Sequence, residues 1–414
     1  MKVIHPCDVK MPPGSETEER IKAYWGRVTE ESGFKNEEEW DKWSEDAIPR
    51  FINPTSDTPV PLVEYVSWLD PGPLIGLLRG SYRDFDRVKK RIAPCLCFFA
   101  YFILSKEIYL AQAYKKLDEW DFILLGFKKK PNYELLREFV YERIGRNRFK
   151  ELFDRIVVQL RIEHQTAGLS FGKRTAQDAT DLPSLKRDPE AEYNDYYKEY
   201  GYKADVTIDL DQETLPLDYR FMGINEDEGK NLIHSLDHLN SMDIKPVEHK
   251  VDGSYATFEN IAWSEIHNIH LVYRVQDNWV EKPYIDEAAL KKAYQRYHAR
   301  DDFRVNATPG FMLRYLLEKE EYELVGNFYR NQIMALDGKA LELHDESYKE
   351  RGSKMEGFYG TVKCHTVLGR RPPKRGKESM RFVLDMAMLA LVFAALIRVQ
   401  NGVFENLGNV SNFG

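Results

Sequence analysis

Cysteine is scarce in this chain. Four residues out of 414 (Cys7, Cys95, Cys97 and Cys364) make no CxxC pair. That excludes a disulfide framework and a cysteine-ligated zinc site, and it leaves free thiols of a reducing compartment. Residues 1–13 lack the apolar core of a secretory signal. Long hydrophobic runs are also missing. "APCLCFFAYFIL" (93–104) is too short to cross a bilayer. "FVLDMAMLALVFAALI" (382–397) carries Asp385 and reads as a buried core helix able to cover one face of a sheet, not as a membrane span. Internal repeats and low-complexity tracts are absent, which excludes solenoids and fibres. Positive charge is in deficit, with a formal net of −8. That weighs against a nucleic-acid binder, though weakly, because phosphate contacts want Lys and Arg. What remains is 43% hydrophobic and 30% charged residues, a globular composition.

The charge is unevenly spread. Residues 14–47 are crowded with Glu and Asp. Residues 361–381 hold seven Lys/Arg against one Glu, and "RIGRNRFK" (143–150) holds four basic residues and no acid. A local basic patch can meet phosphates in a protein that is acidic overall. The proline-containing loop "GRRPPKRGK" (369–377) places Arg370, Arg371, Lys374 and Arg375 in one such patch.

Periodicity divides the chain. Residues 1–61 read as an acidic segment with short helices and a proline-rich linker; its Trp25, Trp40 and Trp43 read as packing aromatics. Residues 62–167 have helical spacing, with a break at Pro94 and amphipathic stretches at 132–145 and 148–164. From about 168 the pattern changes to β, a β-β hairpin (202–211 and 213–225), α, β, α, β. Residues 280–342 turn helical again, and helices at about 343–368 and 378–400 follow. The expected fold is α/β: a mixed sheet flanked by helices over 168–400, with a helical insertion at 280–342, preceded by a mainly helical domain.

Three acidic residues stand out in this layout. Asp178 is expected at the end of the first strand and Asp252 at the end of the fourth; strand ends are where open α/β sheets place their sites. Glu356 lies on a later helix, with Lys363 two turns on. Carboxylates from distant positions suit metal-assisted phosphodiester cleavage, in which divalent cations clamp the attacking and leaving oxygens. Asp181 reads as a supporting or turn residue. His234 and His238 have metal-pair spacing but no evident third ligand, and His267 and His270 read as strand-edge residues.

The blocks "DATDLPS", "VDGSYATFENI" and Tyr348-x2-Arg351 … Glu356-x6-Lys363, with the hairpin and helix between the first two, resemble a DDE transposase of a bacterial or archaeal insertion sequence. The resemblance spans roughly residues 120–400. It implies an RNase H-like catalytic domain, with Asp178, Asp252 and Glu356 as ligands of Mg2+ (or Mn2+). It further implies Tyr348, Arg351 and Lys363 as DNA contacts near the scissile phosphate, with Arg370, Arg371, Lys374 and Arg375 as further basic contacts. The implied activity is cleavage and strand transfer at terminal inverted repeats of double-stranded DNA, by a homodimer, in the cytoplasm at the nucleoid and away from membranes. The family spacing leaves three residues between Arg and Glu where this chain has four, and Glu350 is the alternative glutamate. A related RNase H-fold nuclease and a domesticated, non-transposing DNA-binding protein are the alternatives.

Overall fold

The structure, a computed structural model, describes residues 61–83, 85–212, 214–274, 285–297, 308–369, 375–405, 407–408 and 410. The acidic segment with its three tryptophans and Cys7, together with Arg370, Arg371 and Lys374, lies outside the described residues. Among the described residues, seven α-helices come first: α1 (Leu62–Ser67), α2 (Gly72–Ile75), α3 (Phe85–Leu104), α4 (Leu110–Lys116), α5 (Glu119–Leu124), α6 (Tyr133–Glu138) and α7 (Phe149–Thr166). Then follow β1 (Arg174–Pro183), β2 (Glu192–Asn194), β3 (Glu199–Asp209), β4 (Leu215–Gly223), α8 (Asn231–Ser241), β5 (Glu248–Val251), α9 (Phe258–Ile266) and β6 (His270–Val272). Five helices complete the chain: α10 (Glu287–Arg296), α11 (Pro309–Glu318), α12 (Tyr322–Met334), α13 (Gly338–His365) and α14 (Lys377–Gln400).

Contacts divide these elements into two compact units. One comprises residues up to Ser170, with Ser184–Ala191 and Tyr359 onward; the other comprises Phe171–Pro183 and Glu192–Phe358. The C-terminal residues 359–414 thus group with the N-terminal helices, whereas the sequence pattern assigns residues 168–400 to one catalytic domain.

The first unit is helical. In α7, Phe149, Leu152, Phe153, Ile156, Val157 and Leu160 are buried at helix spacing. Phe99 of α3 meets Phe149 of α7 edge-on at 5.4 Å and Phe393 of α14 at 6.0 Å. Helix α14, apolar around nearly its whole circumference, is buried in this unit against α3 and α7. Its place is therefore a helical core, not the sheet face expected for it. The Tyr65 hydroxyl of α1 donates to the Ala394 carbonyl at 2.8 Å and ties the two ends of the unit together. Helix α3 runs through Pro94 without the expected break. Proline forfeits one backbone hydrogen bond, but the buried Leu96, Phe98, Phe99 and Phe102 hold the following turns in place.

The second unit is a six-stranded mixed sheet with helices. β1, β3 and β4 are antiparallel: β1 pairs β3 from Thr175–Asp209 to Pro183–Gly201, and β3 turns into β4. β5 adds parallel to β1, and β6 parallel to β5. The short β2, which the sequence pattern does not reveal, pairs with the start of β3. Helix α8 connects β4 to β5 and α9 connects β5 to β6. Leu232, Leu236, Val251, Tyr255, Ile261 and Leu271 form the core between these helices and the sheet. α10, α11 and α12 pack a second core with α9, built on Ala262, Leu290, Leu313, Leu316 and Val325. Gly326 sets the α12–α9 approach: a Cβ there would lie 2.2 Å from the Phe258 carbonyl oxygen.

Candidate functional site

Register creates the site. β1 pairs with β5 only from Arg174–Glu248 to Gln177–Val251. The next residue on each strand is Asp178 and Asp252. Parallel neighbours sit about 4.8 Å apart, so the two carboxylates are side by side where β5 ends. Asp178 is mid-strand rather than at a strand end, because β1 continues to Pro183 along β3. What ends at Asp178 is the partner strand. The period of two puts Arg174, Ala176 and Asp178 on one face, joined by Glu248, Lys250 and Asp252.

Helix α13 crosses that face. The Arg351 guanidinium donates to Asp178 Oδ2 at 2.7 Å and stands 3.6 Å from Asp252 Oδ1. The Tyr348 hydroxyl donates to Asp252 Oδ1 at 3.0 Å, and the Ala179 N–H donates to Asp178 Oδ1 at 2.9 Å. Glu350, one residue before Arg351, pairs with Lys250 at 2.5 Å and with Arg174. Burial pushes the Asp178 carboxyl above its ordinary value; the Arg351 charge pulls the other way, and the neighbouring Asp252 charge pushes up again. Burial works against the Arg351 charge, but Asp178 and Asp252 outweigh it and raise its pKa. Burial and Asp252 together raise the Tyr348 hydroxyl. Two adjacent carboxylates in a half-buried place call for a cation, and a guanidinium supplies one here. The same pair of hard oxygen donors fits a divalent cation.

The candidate residues divide on this geometry. Asp178, Asp252, Tyr348 and Arg351 are brought together. Glu356 follows Arg351 by five positions, about 140° around the helix, and is exposed. The residue one turn past Arg351 is the buried Met355. Glu350 faces the sheet but is committed to Lys250 and Arg174. Lys363 lies half-buried on the stretch of α13 that groups with the helical unit, and Arg375 is exposed before α14. Asp181 is three residues past Asp178, so the strand turns it toward the opposite face. His234 is exposed, and His238 Nε2 lies 3.9 Å from Asp218 Oδ1. His267 stacks on Trp263 with ring centroids 4.0 Å apart, and His270 opens β6.

A second polar group lies on the other face of the sheet, and sequence reasoning missed it. Asp205 of β3 is buried and accepts from Gln177 Nε2 at 2.9 and 3.1 Å and from the Tyr255 hydroxyl at 2.8 Å. Gln177 Oε1 in turn faces His249 Nε2 at 3.2 Å, and His249 Nδ1 faces the Thr175 hydroxyl at 2.8 Å. Burial raises the Asp205 carboxyl to about 7 and lowers His249 to about 3. The only trace in the sequence is an acid at an apolar strand position, "YKADVTIDL".

No family model matches the chain, and no curated protein matches it. Among solved structures, the cryo-EM structure of the piggyBac transposase synaptic complex with hairpin DNA is similar over 83% of this chain and 82% of that chain. The sequence identity is 10% and the TM-score 0.27. Similarity that low leaves fold and function to this chain's own residues.

Proposed function

We propose that this chain acts on double-stranded DNA as a DDE-type transposase, with Asp178 and Asp252 as the acidic pair for a divalent cation, Mg2+ or Mn2+. The observation that carries the reading is the pairing itself. Two aspartates from separate sequence blocks become neighbours at the end of β5, with a cationic side chain already between them. The order of the sheet, three antiparallel strands in succession followed by two parallel ones reached through helices, supports an RNase H-like assignment.

A divalent cation on such a pair supplies an activated water and neutralises charge at a scissile phosphate. The chain's own groups orient the pair. The Ala179 N–H holds one oxygen of Asp178, and the Tyr348 hydroxyl holds one oxygen of Asp252. Arg351, once exchanged for a cation, offers its planar fork to a phosphate in the same place. Glu350, bound to Lys250 and Arg174, keeps α13 seated over the strands. Arg370, Arg371, Lys374 and Arg375 add basic contacts to the DNA backbone, and joining two element ends calls for a homodimer.

A nicking assay tests this on DNA carrying the ends of the element. The chain is expected to nick it with Mg2+, and Asp178→Asn and Asp252→Asn are each expected to reduce nicking to background while end binding persists. Nicking that survives in either variant removes the assignment. One observation favours a second reading, a DNA-binding protein that no longer cuts: Met355, not an acid, occupies the site-facing turn after Arg351, and Glu356 points to solvent. End binding without nicking by the unmodified chain would select it.

A further inference from the structure

We infer that Asp205 is a positioning residue for both aspartates of the candidate centre, acting through Gln177 and Tyr255. The inference rests on the reading of Asp178 and Asp252 as a cation-binding pair. Gln177 is the last residue of β1 paired with β5, immediately before Asp178. Tyr255 closes the single turn of helix Gly253–Tyr255, which Asp252 opens. Both side chains point away from the aspartates and converge on one carboxylate of the neighbouring strand β3, at 2.8–3.1 Å. Asp205 therefore ties the two backbone segments that carry the pair from behind the sheet. Neither segment can shift along its strand without breaking a bond to it.

The polarity of the network supports this. Because the Gln177 amide nitrogen donates to Asp205, Gln177 Oε1 is left to accept from His249 Nε2–H, and His249 Nδ1 to accept from the Thr175 hydroxyl, which also lies 3.3 Å from the Glu248 carbonyl. The neutral imidazole this requires agrees with the lowered His249 pKa. Every donor in the chain, and the Tyr255 hydroxyl from the other side, points at Asp205. Thr175, Gln177, Asp205, His249 and Tyr255 are all buried, out of reach of bulk solvent. A fully buried carboxylate fed only by neutral donors is costly in a core. A sheet needing stability alone would place an aliphatic side chain at that position. Fixing its two neighbours to sub-ångström tolerance is a role an aliphatic residue cannot fill. Groups that orient metal ligands in this way typically change metal affinity 10–100-fold when removed.

Cation binding by the full chain tests the inference, with calorimetry of Mn2+ and Ca2+ and a thermal melt of each sample. Tyr255→Phe removes one hydroxyl and keeps the ring; Asp205→Asn removes the double acceptor. Each is expected to weaken cation binding about 10-fold or more, with Tyr255→Phe keeping a cooperative melt. A purely structural role would lower the melting temperature and leave the dissociation constant within about twofold, and that result in Tyr255→Phe overturns the inference. Asp178→Asn is the control. If the unmodified chain binds cation no better than Asp178→Asn, the cation-pair reading fails, and the inference with it. If Asp178→Asn loses binding while Tyr255→Phe and Asp205→Asn keep it, only the positioning role fails.

Discussion

At the scale of single residues, Arg351 holds the most consequential place. Its guanidinium answers the repulsion between Asp178 and Asp252, so it competes with any other cation for the same oxygens. Arg351→Gln is expected to destabilise the cation-free chain by about 1–2 kcal/mol, discounted because Asp252 is half exposed. Millimolar Mg2+ or Ca2+ is expected to restore much of that loss. The measurement is the shift in melting temperature on adding cation, which should be larger in the variant than in the unmodified chain. Equal shifts would mean that the guanidinium and the cation do not share a place. Asp178 and Asp252 are legible in the sequence as carboxylates near strand ends, although Asp178 proves to be mid-strand, whereas Arg351 is singled out only by the family resemblance. Asp205 could not, since nothing in the sequence distinguishes a buried acid that accepts from Gln177 and Tyr255 from an acid at a sheet edge.

At the scale of elements, the seating of α13 on the sheet decides which of its side chains take part. The seat is an ion-pair group: Glu350 with Lys250 and Arg174, Lys250 being almost wholly buried. Burial tends to raise the Glu350 carboxyl, but Lys250 and Arg174 together bring it below its ordinary value. Its contribution is therefore complete above the unfolded value of 4.5 and is lost as pH falls through the lower folded value. Glu350→Gln should cost roughly 2 kcal/mol near neutral pH, because Lys250 stays buried with weaker compensation. Chemical denaturation at falling pH should show the gap between the unmodified chain and the variant narrowing below pH 4.5; a gap that does not change on acidification would contradict the ion-pair account. The order of strands and helices was legible because alternation and 3.6-residue spacing are local properties. The phase of α13 was not. Whether Met355 or Glu356 faces the strands depends on where the helix first touches the sheet, and that contact is tertiary. The length of β1 was obscured for a similar reason: β3 sustains it past the point where β5 stops.

At the scale of the whole molecule, the chain leaves the helical unit after Ser170, builds the sheet unit, and returns through α13 to supply α14. Sequence periodicity identified the apolar 382–397 stretch as core but assigned it to the wrong core, since hydrophobicity does not specify a partner. Phe393, fully buried against Phe99, measures its worth there. Phe393→Ala is expected to cost about 3–5 kcal/mol. Hydrogen exchange should accelerate in α3, α7 and α14 more than in β1, β3 and β5. Uniform acceleration across both groups would instead indicate one cooperative unit.

The β1–β5 register makes the candidate centre sensitive to chain length as well as to side-chain identity. Because consecutive strand residues face opposite sides, inserting one residue between Arg174 and Gln177 would bring Gln177 into the place of Asp178 and turn the aspartate toward Asp205. Two inserted residues would restore the facing but leave Asp178 beyond the end of β5, out of reach of Asp252. Insertions are therefore expected to be tolerated in the connections around the sheet, such as the stretch between β6 and α13, and not within these four strand positions.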